Sequence, residues 1–177
     1  TASLVAKDRC SSLTARLGVS PMKSINYILG YILSVIPLIL IQNILFFITA
    51  IILGLKFSSN AIYTILAVIP ISILFISLGI LIGTITTEKS SSGISSIIVQ
   101  LVAFTSGMYF TTDMVGSTFS TICHILPFES TLNITKDILN SNYNNILPSI
   151  LIVGIYIVIV IILTIILFKR KMISDNK

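Results

Sequence analysis

The sequence is poor in the residues that soluble proteins use for catalysis and for surface charge. It has no tryptophan, two cysteines, one histidine and only six acidic residues among 177. Charged residues make up 10% of the chain and hydrophobic residues 55%. With a mean hydropathy of +1.06, the apolar side chains outnumber what a soluble core of this length can bury. The composition therefore predicts an integral membrane protein.

Missing motifs exclude several classes of enzyme. No phosphate-binding loop of the form Gly-x-x-x-x-Gly-Lys-Ser/Thr occurs, so the chain does not bind a nucleoside triphosphate in that way. Neither Gly-x-Ser-x-Gly nor His-Glu-x-x-His occurs, and no acidic residue lies at mid-span, where a proton relay would need it. His124 and Cys123 supply only two neighbouring ligands, and Cys10 is predicted on the opposite side of the membrane. We therefore expect no metal site and no internal disulfide.

Long uncharged stretches predict the membrane-spanning helices. Between Lys23 and Lys56 there are 32 uncharged residues, and a helix needs about 20 to cross the hydrocarbon core. Pro37 and Pro70 lie within the first two stretches, where we expect kinks. Four transmembrane helices are predicted, over residues 26–55, 61–87, 93–110 and 146–168.

Residues 111–145 are too polar for a comfortable crossing. They predict an extracellular re-entrant or interfacial helical hairpin, in which Pro127 ends a first helix and residues 128–139 form a second. Residues 140–145 are expected to form a solvated turn, and residues 169–177 a cytoplasmic tail. We predict solvated surface positions for Glu129 and Asp137.

The distribution of basic residues predicts the topology. If residues 7–23 are cytoplasmic and four helices cross, nine lysines and arginines lie inside and only Lys56 and Lys136 lie outside. This positive-inside bias predicts that both ends of the chain are cytoplasmic. The basic residues lie at the ends of apolar stretches without interleaved aromatic residues, so the net charge of +5 does not indicate nucleic-acid binding.

A few polar and small residues lie inside the predicted spans. Their two alternative roles are packing between helices, through hydrogen bonds or close contact, and lining of a translocation path. The candidates for a path are Gln42, Asn43, Gln100, Ser106 and Gly107. Gly79 and Gly83 lie four residues apart, and such glycines allow close helix contact. Ser90 to Gly93 supply possible N-caps for the third span.

Residues 7–23, which we call the basic segment, hold four of the eleven basic residues. Leu13 and Leu17 are one helical turn apart with Arg16 beside them, and Gly18 and Pro21 follow. This pattern indicates a short amphipathic helix ending near Gly18, which would lie on a membrane or dock into a groove. The alternative is a solvated basic loop that only determines topology.

Three stretches, in this order, resemble the membrane-spanning permease subunit of type 2 ATP-binding-cassette (ABC) exporters. The first is Lys7-Asp8-Arg9 to Ser20-Pro21-Met22-Lys23, leading into Tyr27-Ile28-Leu29-Gly30-Tyr31. The second is Leu78-Gly79-Ile80-Leu81-Ile82-Gly83, with polar residues to Ser92. The third is Ser106-Gly107-Met108-Tyr109-Phe110, then Leu126-Pro127-Phe128. The family often has Glu-Gly-Thr where this chain has Cys10-Ser11-Ser12.

The resemblance implies an all-α membrane protein whose basic segment contains a cytoplasmic coupling helix. Because the family has six spans, it implies a single permease domain over residues 1–177 that is N-terminally truncated, with Thr1 to Ala6 as the tail of an earlier helix. The residues implied to couple transport to ATP hydrolysis are Asp8, Arg9, Leu13, Arg16, Leu17 and Pro21.

The resemblance also implies the partners and the location. These are an ABC ATPase subunit that holds ATP and Mg²⁺, a second identical or paralogous permease subunit, and the lipid bilayer, with no cofactor on this chain. We expect a multi-pass protein of a bacterial plasma membrane that exports a hydrophobic or amphipathic drug, peptide or lipid-linked molecule. The first alternative is a non-transporting immunity or sensor protein that binds a toxic peptide through the outer hairpin. A secondary transporter is disfavoured by the lack of ionisable residues within the spans.

Overall fold

The computed structural model describes residues 1–9, 24–54, 59–109, 116–143 and 146–175. These residues form seven helices and no strand, which confirms the predicted all-α class. The helices are α1 (Ala2–Arg9), α2 (Ser24–Ile52), α3 (Ser59–Ile85), α4 (Glu88–Thr105), α5 (Ser117–Ile125), α6 (Pro127–Leu139) and α7 (Ile146–Asp175). Most of the basic segment lies outside the described residues, including the predicted helix around Leu13, Arg16 and Leu17.

Three of the described helices are long and apolar enough to cross a membrane. They comprise Ile25–Ile52, Asn60–Ile85 and Ile146–Lys171, and they overlap the spans predicted over residues 26–55, 61–87 and 146–168. Helices α2 and α3 continue through Pro37 and Pro70. The span predicted over residues 93–110 corresponds to α4, whose first turns are polar, and its crossing stays a prediction.

Helix α4 begins five residues before the predicted start, because Thr87 rather than one of the serines precedes its first turn. The Thr87 carbonyl accepts the amide of Ser91 at 2.9 Å, and the Thr87 hydroxyl is 2.7 Å from that of Ser90. Glu88 lies in the first turn, where a carboxylate interacts favourably with the helix dipole. Glu88 and Lys89, the two charged residues between the second and third apolar stretches, therefore belong to the helix.

Hydroxyl groups inside the spans are satisfied within their own helices. Thr64, Ser77 and Thr164 are fully buried, and each hydroxyl donates to the carbonyl four residues earlier at 2.7 to 2.8 Å. An unpaired hydroxyl is costly in hydrocarbon, where there is no water to bind it. These residues therefore pack as small, nearly apolar groups.

The chain divides into two compact units, each with its own core. The first unit contains Thr1–Val35, Ile73–Ile98 and Ile157–Lys177, and the second contains Ile36–Ser72 and Val99–Tyr156. In the first unit the most deeply buried side chains include Val5, Ile28, Leu74 and Ile80. In the second unit the core includes Ala61, Cys123, Ile134 and Val153.

Within the first unit, α1 packs against α3 at the pair of glycines. A Cβ added to Gly83 would lie 2.5 Å from the carbonyl oxygen of Ala2 and 2.8 Å from the Cβ of Val5, whereas one at Gly79 would lie 3.2 Å from the Cβ of Thr1. Both distances at Gly83 are shorter than a van der Waals contact. The partner in this close contact is α1, whose side chains Val5 and Ala6 are fully buried.

We therefore predict that Gly83→Ala lowers the stability of the protein. The added methyl group meets backbone, and overpacking of this kind costs about 1–3 kcal/mol. Gly154→Ala is the matched control, because nothing lies within 4 Å of a Cβ at Gly154 and alanine is the better helix former. Thermal unfolding in detergent should show a lower Tm for Gly83→Ala alone, and equal Tm values for the two variants would contradict the close contact.

Candidate functional site: the polar end of the first unit and the outer hairpin

The last residues of α1 are bound to two neighbouring helices. The Arg9 guanidinium donates from Nη1 to the carbonyl oxygen of Thr84 and from Nη2 to that of Thr86, the latter at 3.2 Å. These carbonyls lie at the C-terminal end of α3, where helix carbonyls lack partners within the helix. Arg9 therefore caps α3 with a positive charge, which also interacts favourably with the helix dipole.

Asp8 binds α2 through a short chain of hydroxyl groups. The Tyr31 hydroxyl donates to Oδ2 of Asp8, and the Tyr27 hydroxyl donates to that of Tyr31 at 3.0 Å. The Tyr27 ring is stacked on Phe168 of α7, with 4.6 Å between ring centroids and 26° between planes. A carboxylate that accepts from a phenol forms a charge-assisted hydrogen bond, which is stronger than a neutral one. The sequence analysis assigned no role to Tyr27, Tyr31 or Phe168. Two tyrosines one helical turn apart form no distinctive motif, and neither does a contact between distant helices.

Asp8 and Arg9, both predicted coupling residues, thus lie together and make contacts within the chain. Their predicted contact with an ATPase remains a prediction. Leu13, Arg16, Leu17 and Pro21 lie outside the described residues, so nothing tests their predicted role.

The predicted path residues Gln42 and Asn43 occupy different environments on α2. Gln42 is exposed and Asn43 is half-buried, and Asn43 donates to the carbonyl oxygen of Ile39 at 3.0 Å. Asn43 lines a shallow, mainly apolar cleft beside Ser72 that encloses almost no volume accessible to a water molecule. Pockets for drug-sized ligands are about 300–1,000 Å³. This cleft therefore does not form a substrate site on its own.

The predicted path residues of the third span have local roles at the end of α4. Ser106 is buried and donates to the carbonyl oxygen of Ala103 at 3.0 Å. Gly107 has a φ of 73°, a left-handed conformation in which glycine commonly ends a helix. Gln100 is exposed. None of these three residues lines the cleft beside Asn43, and their path role stays a prediction.

Helices α5 and α6 form a hairpin from the residues on each side of Pro127, where the sequence predicts two short helices. The extracellular position of this hairpin stays a prediction. Nδ1 of His124 lies 3.0 Å from Oε2 of Glu129 and joins the two helices, with the His124 side chain 57% exposed and that of Glu129 only 15%. The predicted solvated surface position for Glu129 was therefore wrong, because the turn at Pro127 folds it against His124. No group of three metal-binding side chains occurs in the described part of the chain.

Two further residues, Tyr156 and Asn60, fix this region within the second unit by hydrogen bonds. The Tyr156 hydroxyl on α7 donates to the carbonyl oxygen of Ile125 at 2.9 Å. At the start of α3, Nδ2 of Asn60 donates to the Ser141 hydroxyl at 2.5 Å and to the Leu139 carbonyl at 3.5 Å. Oδ1 of Asn60 accepts from the Tyr143 hydroxyl at 3.1 Å. Asn60 thus holds the turn that follows α6.

We predict that Asn60→Ala loosens this turn. The reporters are the amides of residues 140–142, which donate to carbonyls of residues 136–138 at 2.8 to 3.2 Å. Their hydrogen exchange should accelerate roughly tenfold, because each lost hydrogen bond is worth about 1 kcal/mol. Tyr63→Phe, on the same helix as Asn60, is the control, since the Tyr63 side chain is exposed and lies outside the reporter residues. Unchanged exchange in Asn60→Ala would show that the asparagine does not hold the turn.

Cys123 lies next to His124 but faces the core of the second unit. Its side chain is fully buried. Burial raises the pKa of the Cys123 thiol, and the negative charge of Glu129 adds to the increase. Both effects favour the neutral thiol, which is neither a nucleophile nor a metal ligand. The arrangement therefore indicates a structural cysteine.

We predict that Cys123 is alkylated slowly in the folded protein. In a Cys10→Ser background, its reaction with iodoacetamide should be roughly 100-fold slower than in denaturant, because the thiol is buried and protonated. The folded thiol has the higher pKa, so the folded state binds more protons and loses stability as pH rises above about 8.5, the ordinary thiol pKa. Equal rates in the folded and denatured states would contradict this placement.

Comparison with known proteins identifies the family. A family model described as "ABC-2 family transporter protein" matches residues 1–166. No curated protein matches the chain, and no solved structure does. Since the family match extends over most of the 177 residues, the chain belongs to the ABC-2 family of transporter proteins.

Proposed function

We propose that this chain is the membrane-spanning subunit of an ABC exporter. It would move a hydrophobic or amphipathic molecule, such as a drug, a peptide or a lipid-linked compound, out of the cell. ATP would be hydrolysed on a separate ATPase subunit, with which this chain and a second permease subunit assemble. Membership of the ABC-2 family supports the permease assignment, and the lack of a phosphate-binding loop in this chain supports a separate ATPase.

The observation that carries the proposal is the polar cluster that joins Asp8 and Arg9, at the start of the basic segment, to the two helices that follow this segment. Arg9, the last residue of the basic segment that the structure describes before residue 24, is bound to the carbonyl oxygens of Thr84 and Thr86. Tyr31, in the second turn of the helix that follows the segment, is bound to Asp8. The described residues on the two sides of positions 10–23 thus meet in one set of hydrogen bonds. A docking ATPase would act on the helices at that point.

The apolar character of the spans supports the substrate class. The buried hydroxyls of Thr64, Ser77 and Thr164 bind carbonyls of their own helices, so they offer little to a polar solute. Many large apolar side chains on α2 and α7 are exposed. Apolar helix surfaces of this kind suit molecules that partition into a membrane rather than strongly hydrated ions.

We expect the protein, purified in mild detergent, to carry an ATPase subunit with it. Arg16→Glu should weaken ATPase association at least about tenfold, because reversal of a charge at an interface leaves its partner unpaired. Lys136→Glu is the matched control, since Lys136 is exposed and is predicted on the opposite side of the membrane. The readouts are the amount of co-purified ATPase and the rate of ATP hydrolysis.

Two results would contradict different parts of the proposal, the permease assignment and the coupling role of Arg16. Purification of the protein without any nucleotide-hydrolysing partner would favour a protein that sequesters a toxic peptide. Equal ATPase binding by wild type, Arg16→Glu and Lys136→Glu would keep the permease assignment but remove Arg16 from the coupling contact.

A further inference from the structure

The polar end of the first unit carries a group of exposed basic side chains. We define the basic rim as the side chains of Lys7, Lys89, Lys169 and Arg170, all of which are exposed. We propose that the basic rim binds the negatively charged head groups of anionic phospholipids in the adjoining membrane leaflet. This inference goes beyond the proposed function and does not depend on it.

Two members of the basic rim lie at neighbouring helix ends. Lys7 is two residues before Arg9, whose Nη2 donates to the carbonyl oxygen of Thr86 at 3.2 Å. Lys89 follows Thr86 by three residues and lies in the first turn of α4. The hydrogen bond from Arg9 therefore brings the end of α1, which carries Lys7, to the start of α4, which carries Lys89.

The end of α7 reaches the same place through Tyr27. The Tyr27 ring is stacked on Phe168, with 4.6 Å between ring centroids, and Lys169 directly follows Phe168. The Tyr27 hydroxyl donates to that of Tyr31, which binds the Asp8 carboxylate. Each residue of the basic rim thus lies within a few positions of one connected set of contacts within the first unit.

Acidic side chains do not balance the charge of the basic rim. Among the side chains that the structure describes in the first unit, the acidic ones are Asp8 and Glu88. The Asp8 carboxylate accepts the hydrogen bond from Tyr31, and Glu88 lies in the first turn of α4, where it interacts favourably with the helix dipole. The excess of positive charge attracts anionic head groups. Arg170 adds a guanidinium whose geometry matches a phosphate group.

Exposed apolar side chains directly beside the basic rim indicate which anion it binds. Ile166 and Leu163, one and two helical turns before Arg170 on α7, are 48% and 44% exposed, and Ile85 at the end of α3 is 52% exposed. An acidic protein segment or a free phosphate ion would neutralise the charges but leave this apolar surface uncovered. A phospholipid matches both features, because its phosphate and its acyl chains belong to one molecule. Lysine and arginine also reach head groups readily, since their long stems lie along apolar surface.

The test uses tryptophan fluorescence, because the chain has no tryptophan of its own. Ile166→Trp places one reporter a helical turn before Arg170, and Leu151→Trp places another near the opposite end of α7, where the native side chain is also exposed. The whole chain is reconstituted into phosphatidylcholine bilayers that contain either brominated phosphatidylcholine or brominated phosphatidylglycerol. Quenching by bromine gives the binding constant of the anionic lipid relative to the zwitterionic lipid at each reporter.

With the Ile166→Trp reporter we expect phosphatidylglycerol to bind at least about fivefold more tightly than phosphatidylcholine, the effect of one basic residue near an anionic membrane surface. The Leu151→Trp reporter should give a ratio close to 1. Lys169→Gln combined with Arg170→Gln should bring the ratio at position 166 close to 1. Lys136→Gln is the matched control, because it removes an exposed charge of the second unit, and it should leave that ratio unchanged.

A third reporter, Ile85→Trp, tests the other half of the basic rim. The native Ile85 side chain is exposed and lies four residues before Lys89. Lys7→Gln combined with Lys89→Gln should remove the preference for phosphatidylglycerol at this position. An increase in salt from about 0.1 M to about 1 M should weaken the preference at positions 85 and 166, because salt screens exposed charges.

Several results would overturn the inference. One is an equal ratio at positions 166 and 151 in the chain that keeps all four basic residues. Another is an unchanged ratio at position 166 when both Lys169 and Arg170 are replaced by glutamine. Loss of a co-purified protein from that variant, with no change in its lipid preference, would assign the basic rim to an acidic protein partner instead. Arg170→Lys and the salt series test the charge without depending on the folding of the glutamine variants, since the first keeps the charge and the second changes no residue.

Discussion

The structure depends first on the need to satisfy every polar backbone and side-chain group where water is absent. In hydrocarbon an unpaired amide or carbonyl costs several kcal/mol, so the chain crosses as helices whose hydrogen bonds are internal. The same constraint explains why the buried hydroxyls of Thr64, Ser77 and Thr164 bind carbonyls of their own helices. It also explains why the carbonyls at the end of α3 are bound by Arg9. The charged groups of this protein are concentrated where helices end.

Close packing and charge act together in the first unit. The absence of a side chain at Gly83 brings α1 into contact with α3, and this contact places Asp8 and Arg9 at the ends of α2 and α3. Without the close approach, neither the guanidinium nor the carboxylate would reach its partner. The glycine motif is common in membrane helices and carries little specificity alone. In this protein the glycine motif has a specific role, because the helix that packs against it, α1, ends in the charged residues Asp8 and Arg9.

Within the second unit, α5, α6 and the turn after α6 are fixed by side-chain contacts with neighbouring elements. Asn60 binds the turn after α6, Tyr156 binds the end of α5, and His124 lies beside Glu129. These are neutral or half-exposed contacts, individually worth little. Together they fix a hairpin whose helices are too short to be stable alone. The α5 and α6 hairpin is therefore ordered by contacts with neighbouring elements rather than by its own helix propensity.

The sequence by itself determined the membrane class, the all-α fold and the approximate positions of the long helices, because apolar length and charge distribution act locally along the chain. It also located the α5 and α6 hairpin, since Pro127 cannot continue a helix and readily begins one. The sequence analysis placed the start of α4 too late, because that start depends on the contacts of Thr87. It also placed Glu129 on the solvated surface, because the fold of the turn at Pro127 was not visible in the sequence. Only the tertiary structure decided that Gly83 receives α1, that Arg9 caps α3 and that Tyr31 binds Asp8. Those partners are separated by more than 20 residues, and no local pattern specifies a pairing that arises when helices pack in three dimensions.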